Sequence, residues 1–570
     1  MSDVWAGPGY WLASDGKWYA PELHPSLVQP PAEAIPETPE DAAPEVPTRY
    51  AWGNGLSHSP VHSGDPGSGP AQWSETGVPP RSAGADPYSD LYVSGPTEPQ
   101  RRKRIGRRPL AWGAAALGAV VVVVGILVAV SGQNTRWDPK VLGIVHFVEK
   151  SRGLSFKRPV NIEFLTGAQF DKEVSVPTPT SQSDRTALRR TLSELRALGL
   201  VHGNVNLASS ENALNQADVV GLYVDAKKTV FVRGTKLTPY VRVTLAHELT
   251  HALQDQYFDL TTLDNRAKGD QDALTALVEG DAVRVQDLYE QQLSAADKRA
   301  YQKSQNQIQK GSGKTSNVPE ILGDIDSFPY AFGPTFVDSL DADGGTAGIN
   351  RAFRKPPVAE AQIVDPAKYP LGWKAARVPP PPITAGERRL DKPSSFGQVS
   401  LFEVLGGRLG YDKAWAAVQG WQGDNSVPYE DHGHTCIAVD VAMGSAAATT
   451  QLTQTADQWA QGIPGAVVSQ TGRRVELRSC DPGPSAPAPP KINPSAFDVL
   501  SARAEIIDGF MTSDHADFAL GACIADHIIV GVGPSAYGEL TANTLSASQE
   551  AQLRQLVVTS AQSCQAEGVS

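Results

Sequence analysis

Across the middle of this chain apolar positions recur first every second residue, then every third or fourth, then every second again. Each change of period marks an element. "RPVNIEFLTGAQF" alternates as a strand and runs into a helix, and "DRTALRRTLSELRALGL" keeps helical spacing up to Gly199. "VVGLYVDAKKTVFVRG" holds two β-rich runs around the polar turn Asp225–Lys228, the pattern of a hairpin. "LTPYVRVTLAHELTHALQDQYF" predicts a helix with Thr238 as N-cap and Pro239 at the first helical position, where no amide donor is needed. Leu245, Leu249, Ala252 and Leu253 form its apolar stripe. A second helix follows in "DQDALTALVEGDAVRVQDLYEQQL". Further on, "TCIAVDVAM", "TADQWAQGI" and "RRVELRSC" predict strand, helix and strand. "DPGPSAPAPP" at 481–490 is a proline-rich linker, and 491–570 reads as helical. The expected fold class is α+β, without internal repeats.

One run has no period. Leu110 to Val130 is 21 residues without a charge, long enough to cross a bilayer as a helix. A buried core helix is the alternative, but cores rarely need so long an apolar run. It starts too late for a cleaved signal peptide. Arg101, Arg102, Lys103, Arg104, Arg107 and Arg108 precede it, against Arg136 and Lys140 after it. That bias predicts a single-pass membrane anchor with a cytoplasmic N-terminus and everything from residue 132 outside.

Composition adds to this layout. Residues 1–100 contain 17 prolines and 11 glycines, with 13 acidic against 3 basic side chains, too little apolar surface to offset chain entropy. They are expected to be a disordered cytoplasmic tail. Its start, with Trp5, Trp11 and Trp18 around "SDGKWY", resembles short Trp-rich modules in the tails of actinobacterial membrane proteins and implies a cytoplasmic partner. Residues 101–570 are nearly balanced, 49 acidic against 47 basic, which lacks the basic footprint of a nucleic-acid binder. All four cysteines, Cys436, Cys480, Cys523 and Cys564, fall in the last third of the chain. An even number on the proposed exterior predicts disulfides in an oxidising compartment. Of three connectivities, the sequential one, Cys436–Cys480 and Cys523–Cys564, is expected. Neither pair has the C-x-x-C spacing of a cysteine zinc site.

The candidate chemistry lies in the helix that starts at Pro239, which contains His-Glu-x-x-His. Residues four apart share a helix face, so His247 and His251 can offer two imidazoles to one ion. Glu248 is 100° round the helix, placed for a general base rather than a ligand. A catalytic zinc takes three protein ligands and keeps one position open. Glu279 in "ALVEGDA", on the next helix, is the best third ligand. Taken alone it reads as an exposed carboxylate; beside this motif it completes a His₂Glu set. Tyr330, with Tyr257 and Tyr301 behind it, is a candidate oxyanion donor, although packing alone would account for each. Asp255 and Asp281 stand where either could orient a ligand. His432 and His434 read as a loop, and no G-x-S-x-G or G-x-x-x-x-G-K-[ST] occurs.

In order, "GLYVDAKKTVFV", "LTPYVRVTLAHELTHALQDQYFDL", "ALVEGDA", "PYAFGPTFVDSL" and "INRAFRKPPVAEAQIVDPAKY" resemble a family of bacterial secreted or membrane-anchored zinc metallopeptidases of the gluzincin type. The resemblance covers roughly residues 155–480 and is sharpest at the motif helix and the Glu279 segment. It implies a zincin-like domain in which the hairpin forms the rim of a cleft for an extended peptide. It also implies Zn²⁺ on His247, His251 and Glu279, with Glu248 as general base. The expected layout is then a tail (1–100), basic flank and transmembrane helix (101–131), zincin-like metallopeptidase domain (132–480), linker (481–490) and small disulfide-stapled helical segment (491–570). The expected function is peptide-bond hydrolysis, with a non-catalytic envelope interaction or signalling protein on the same scaffold as the alternative.

Overall fold

Sixteen α-helices and two sheets make up the described part of residues 48–570 in the computed structural model, an α+β architecture. The structure describes residues 11–12, 18–19 and 136–569, apart from 176–180, 218, 267–270, 312–317, 514–515 and 542–546. In the unit formed by residues 1–47, β1 (Trp11–Leu12) pairs antiparallel with β2 (Trp18–Tyr19), Trp11 facing Tyr19.

The membrane anchor in the expected fold is corrected. Among the described residues no helix is long and apolar enough to cross a membrane. The longest, of 35 residues, is interrupted by five aspartates, charges that a bilayer-spanning helix excludes. Leu110–Val130 itself, like most of the 1–100 tail, lies outside the described residues.

Among the described residues of the larger unit, α1 (Leu142–Arg152), β3 (Asn161–Leu165), α2 (Gly167–Val174), α3 (Gln182–Ala197) and α4 (Leu207–Ala217) come first. The expected hairpin follows as β4 (Gly221–Val224) and β5 (Thr229–Arg233). Lys228 takes a left-handed conformation, φ 49°, to close the turn. β3 joins β5 in parallel, so the sheet order is β3-β5-β4 and β4 is an edge. Next come α5 (Pro239–Phe258), α6 (Leu260–Arg266), α7 (Gln271–Gln291), α8 (Ala295–Gly311) and α9 (Glu320–Arg354), the last broken at Gly344–Gly345. Thr238 caps α5 as expected, its side chain accepting from Val241 N, with Pro239 in the first turn.

The second half contains α10 (Ala361–Val364), β6 (Arg388–Arg389), α11 (Gln398–Leu409), α12 (Tyr411–Val418), β7 (Trp421–Asp431), β8 (His434–Met443), α13 (Ala446–Gln461), β9 (Val467–Thr471) and β10 (Arg474–Cys480). The five strands form an antiparallel sheet in the order β6-β7-β8-β10-β9. The chain ends in α14 (Ala496–Ser513), α15 (Phe518–Thr541) and α16 (Ala547–Ala566). Both sequential disulfides are present: Cys436–Cys480 bridges the paired strands β8 and β10, and Cys523–Cys564 joins α15 to α16.

Two apolar clusters position the candidate site. One joins Ile144 and Val148 of α1, Val230 and Val232 of β5, and Leu245, Leu249 and Leu253 of α5. The other joins Leu274 and Leu277 of α7 and Phe332 and Phe336 of α9 to Phe402, Trp459 and the inner face of the five-stranded sheet. α5 is therefore buried all round rather than along one stripe: every residue from Val243 to Asp255 is buried. A polar side chain there has no access to water and must find its partners inside the protein.

Candidate metal centre

Helical geometry stacks His247 and His251 on one side of α5, and their Nε2 atoms are 2.9 Å apart. Glu279 of α7 brings Oε2 to 3.3 Å from both nitrogens. The three side chains are 0–2 % exposed. Nearby glycines allow this approach. A Cβ on Gly280 would lie 2.2 Å from the backbone of Gly333, so the α7 and α9 backbones touch one residue away from Glu279. A Cβ on Gly221 would lie 2.5 Å from Thr244 and 3.0 Å from Glu248, so the edge strand β4 can run directly along α5.

Two imidazole nitrogens and a carboxylate oxygen aimed at one point repel one another unless a proton or cation sits between them. Burial works against ionisation of Glu279, but the charge of His251 and the nearness of both imidazoles outweigh it and hold the carboxyl at about 2. Burial likewise opposes protonation of His251, yet Glu279, with Glu248 and Gln254, raises it above the ordinary histidine value. Apart from the two imidazoles, no donor among the described residues reaches the carboxylate oxygens of Glu279. A buried carboxylate in that state needs positive charge, and two nitrogens plus one oxygen is a donor set that suits zinc. Ligand atoms about 3 Å apart also match its bond lengths of about 2.0–2.2 Å.

Glu248, next to His247, accepts a 2.7 Å hydrogen bond from the backbone N–H of Tyr223 in β4. The Tyr223 hydroxyl donates to Asp255 Oδ2 (2.6 Å), as does Lys228 Nζ (2.6 Å). Burial and the bond to Asp255 push the Tyr223 phenol well above its usual range. The hairpin is thus pinned to α5 at two points about two turns apart. On the far side of His251, Nδ1 lies 3.1 Å from Gln254 Oε1. The Gln254 amide nitrogen contacts Asp281 Oδ2 (2.7 Å) and Val278 O (3.1 Å). Asp281 pairs with Arg152 at 2.8 Å, an ion pair that is 0–1 % exposed. Arg152 also donates to Asn350 Oδ1 (2.9 Å).

The fold brings together His247, Glu248, His251 and Glu279, all four residues singled out in the sequence. Tyr330 stacks over His247 at 6.5 Å between ring centroids. Tyr257 instead donates to Ser155 O, and Tyr301 stacks on Tyr240, so packing accounts for both. Asp255 serves the hairpin rather than a ligand, and Asp281 reaches His251 only through Gln254. His432 lies in the exposed β7–β8 turn, whereas His434, expected in the same loop, is the first residue of β8. Cys523, His527 and Cys564 also lie within ligand distance of one another, but the two sulfurs are bonded together and offer no thiolate. Gln254 belongs to no motif, and its one signal in the sequence is the i,i+3 spacing from His251. Arg152 lies more than a hundred residues away and leaves no local signal.

No known protein family, curated protein or solved structure matches the chain. The functional reading rests on these residues and their geometry.

Proposed function

We propose that this protein is a zinc-dependent peptidase with His247, His251 and Glu279 as metal ligands and Glu248 as general base. One observation carries the reading: among the described residues the buried Glu279 carboxylate meets no donor apart from two imidazole nitrogens at 3.3 Å, and the Glu248 carboxylate is near enough for its charge to act on His251. A zinc ion held there supplies Lewis acidity, acidifying water and polarising a peptide carbonyl. Glu248 takes a proton from the attacking water and delivers it to the amine that leaves as the C–N bond breaks. The Tyr223 N–H fixes the orientation of that carboxylate. Tyr330, whose ring stacks on His247, is the candidate donor to the developing oxyanion. Two disulfides, with no free cysteine among the described residues, support an oxidising compartment for the folded unit.

A second reading is favoured by burial: Glu248 is only 4 % exposed, as suits a metal that holds the fold together on a non-catalytic scaffold. Glu248→Gln separates the two. Zinc content, measured by elemental analysis, should stay at the wild-type level, and hydrolysis of a mixed peptide library should fall by about 10²-fold or more. Hydrolysis that persists in Glu248→Gln rejects the assigned mechanism. Zinc in the wild type without any hydrolysis gives the structural reading the lead.

A further inference from the structure

We propose that Gln254 is a positioning residue that fixes the tautomer of His251, so that Nδ1 carries the hydrogen and Nε2 presents its lone pair to the cation. The role of Nε2 rests on the metal reading above; the tautomer does not.

A guanidinium only donates, and an ionised carboxylate only accepts. Arg152 lies buried against Asp281 with Nε 2.8 Å from Oδ2, so that oxygen faces a group that can only donate. The Gln254 side chain places one terminal atom 2.7 Å from Asp281 Oδ2 and 3.1 Å from the carbonyl oxygen of Val278. Both neighbours are acceptors, so that atom must be the amide nitrogen. A flipped amide would set its oxygen against a carboxylate and a carbonyl at a site closed to water. The other terminal atom is then Oε1, which cannot donate. It lies 3.1 Å from His251 Nδ1, so Nδ1 must hold the hydrogen of that contact. In a neutral imidazole the hydrogen on one nitrogen leaves the other as the acceptor. The free lone pair of His251 is therefore on Nε2, the atom facing His247 and Glu279.

Each link is dictated by the one before it, and the links lie on α1, α7 and α5 in turn. Asn350 of α9 anchors the outer end by accepting from Arg152. Helix packing is thereby converted into the choice between two nitrogens of one ring. An amide in this place differs from a carboxylate: it can hold the ring but cannot take its proton.

The test is a ¹⁵N–¹H correlation spectrum of the full chain labelled at histidine nitrogens, metal-free and at pH 9, beside zinc affinity measured by chelator competition. In the wild type His251 should show a protonated Nδ1 and a bare Nε2. Gln254→Ala should lose that pattern for a mixture of tautomers, and zinc should bind about 10- to 100-fold more weakly. A bare Nδ1 in the wild type, or an unchanged tautomer in folded Gln254→Ala, overturns the proposal. Should Gln254→Ala not fold, the wild-type spectrum still decides. The stated tautomer in a wild type that binds no zinc would uphold the relay and reject the metal reading.

Discussion

At Glu279 a carboxylate with no water contact lies 3.3 Å from two imidazole nitrogens, and its ionisation is tied to theirs. Its folded pKa of about 2 is below the ordinary 4.5, so its contribution to stability is complete above 4.5 and is lost as pH falls through about 2. His251 is raised above 6.5, so its contribution is complete below 6.5 and is lost as pH rises through the folded value. In metal-free protein the joint contribution should be largest between pH 4.5 and 6.5. A cation replaces the proton on the nitrogens, so zinc should abolish the alkaline loss while leaving the acid loss in place. Thermal unfolding of chelator-treated and zinc-loaded protein from pH 2 to 9 measures both flanks. Glu279→Gln removes the carboxylate and should flatten the metal-free profile. A metal-free profile that is the same in wild type and Glu279→Gln would mean that the three groups are not coupled.

Between elements, the site depends on how closely helices can approach. A methyl group on Gly280 would collide with the Gly333 backbone, so Gly280→Ala forces α7 away from α9 and carries Glu279 with it. Overpacking of this kind costs about 1–3 kcal/mol and should weaken zinc binding as well. Gly143 in α1 is the control. Its Cβ would meet nothing within 4 Å, so Gly143→Ala should raise stability by about 0.5–1 kcal/mol and leave zinc alone. Urea unfolding and zinc titration of both variants measure the difference, and equal effects at the two glycines would reject the close-crossing argument. These elements were unequally legible. α5 could be read because its start is written locally, in Thr238 and Pro239, and its two histidines are spaced by the helix itself. Glu279 could be read because it stands on the next helix beside a motif that needs a third ligand. The Gly280–Gly333 crossing and the Arg152–Asp281 pair join positions 53 and 129 residues apart by sequence number, and no periodicity announces them. The single apolar stripe expected of α5 proved too narrow: its polar residues are buried too, because the relay and the hairpin supply partners for them.

For the whole molecule, the proline-rich 481–490 stretch looks like a boundary, yet the core continues past it. Phe497, Leu500 and Ala504 of α14 belong to the same apolar cluster as Phe332 and Phe336 of α9. The Phe497 ring meets Phe332 edge-on at 5.9 Å, and Thr335 donates to Ala504 O. Beyond α14 the packing changes: Ile524 and Ile528 of α15 gather with Phe510, Val557 and Cys564 in a separate small cluster, stapled by Cys523–Cys564. A chain ending at residue 490 therefore loses part of the main core, whereas one ending at 513 loses mainly the stapled pair of helices. Burying a Phe or Leu side chain contributes about 1.5–3 kcal/mol each, and a domain's whole margin is about 5–15 kcal/mol. The chain ending at 490 should then fail to unfold cooperatively and should aggregate, while the chain ending at 513 should keep a cooperative transition at a lower temperature. Circular dichroism melts and gel filtration of the two truncations decide it. A cooperative melt of the 490 chain within a few degrees of the full-length protein would show that α14 merely rests on the core. Loss of zinc together with loss of cooperativity would instead tie the ligand on α7 to the helix that packs behind α9.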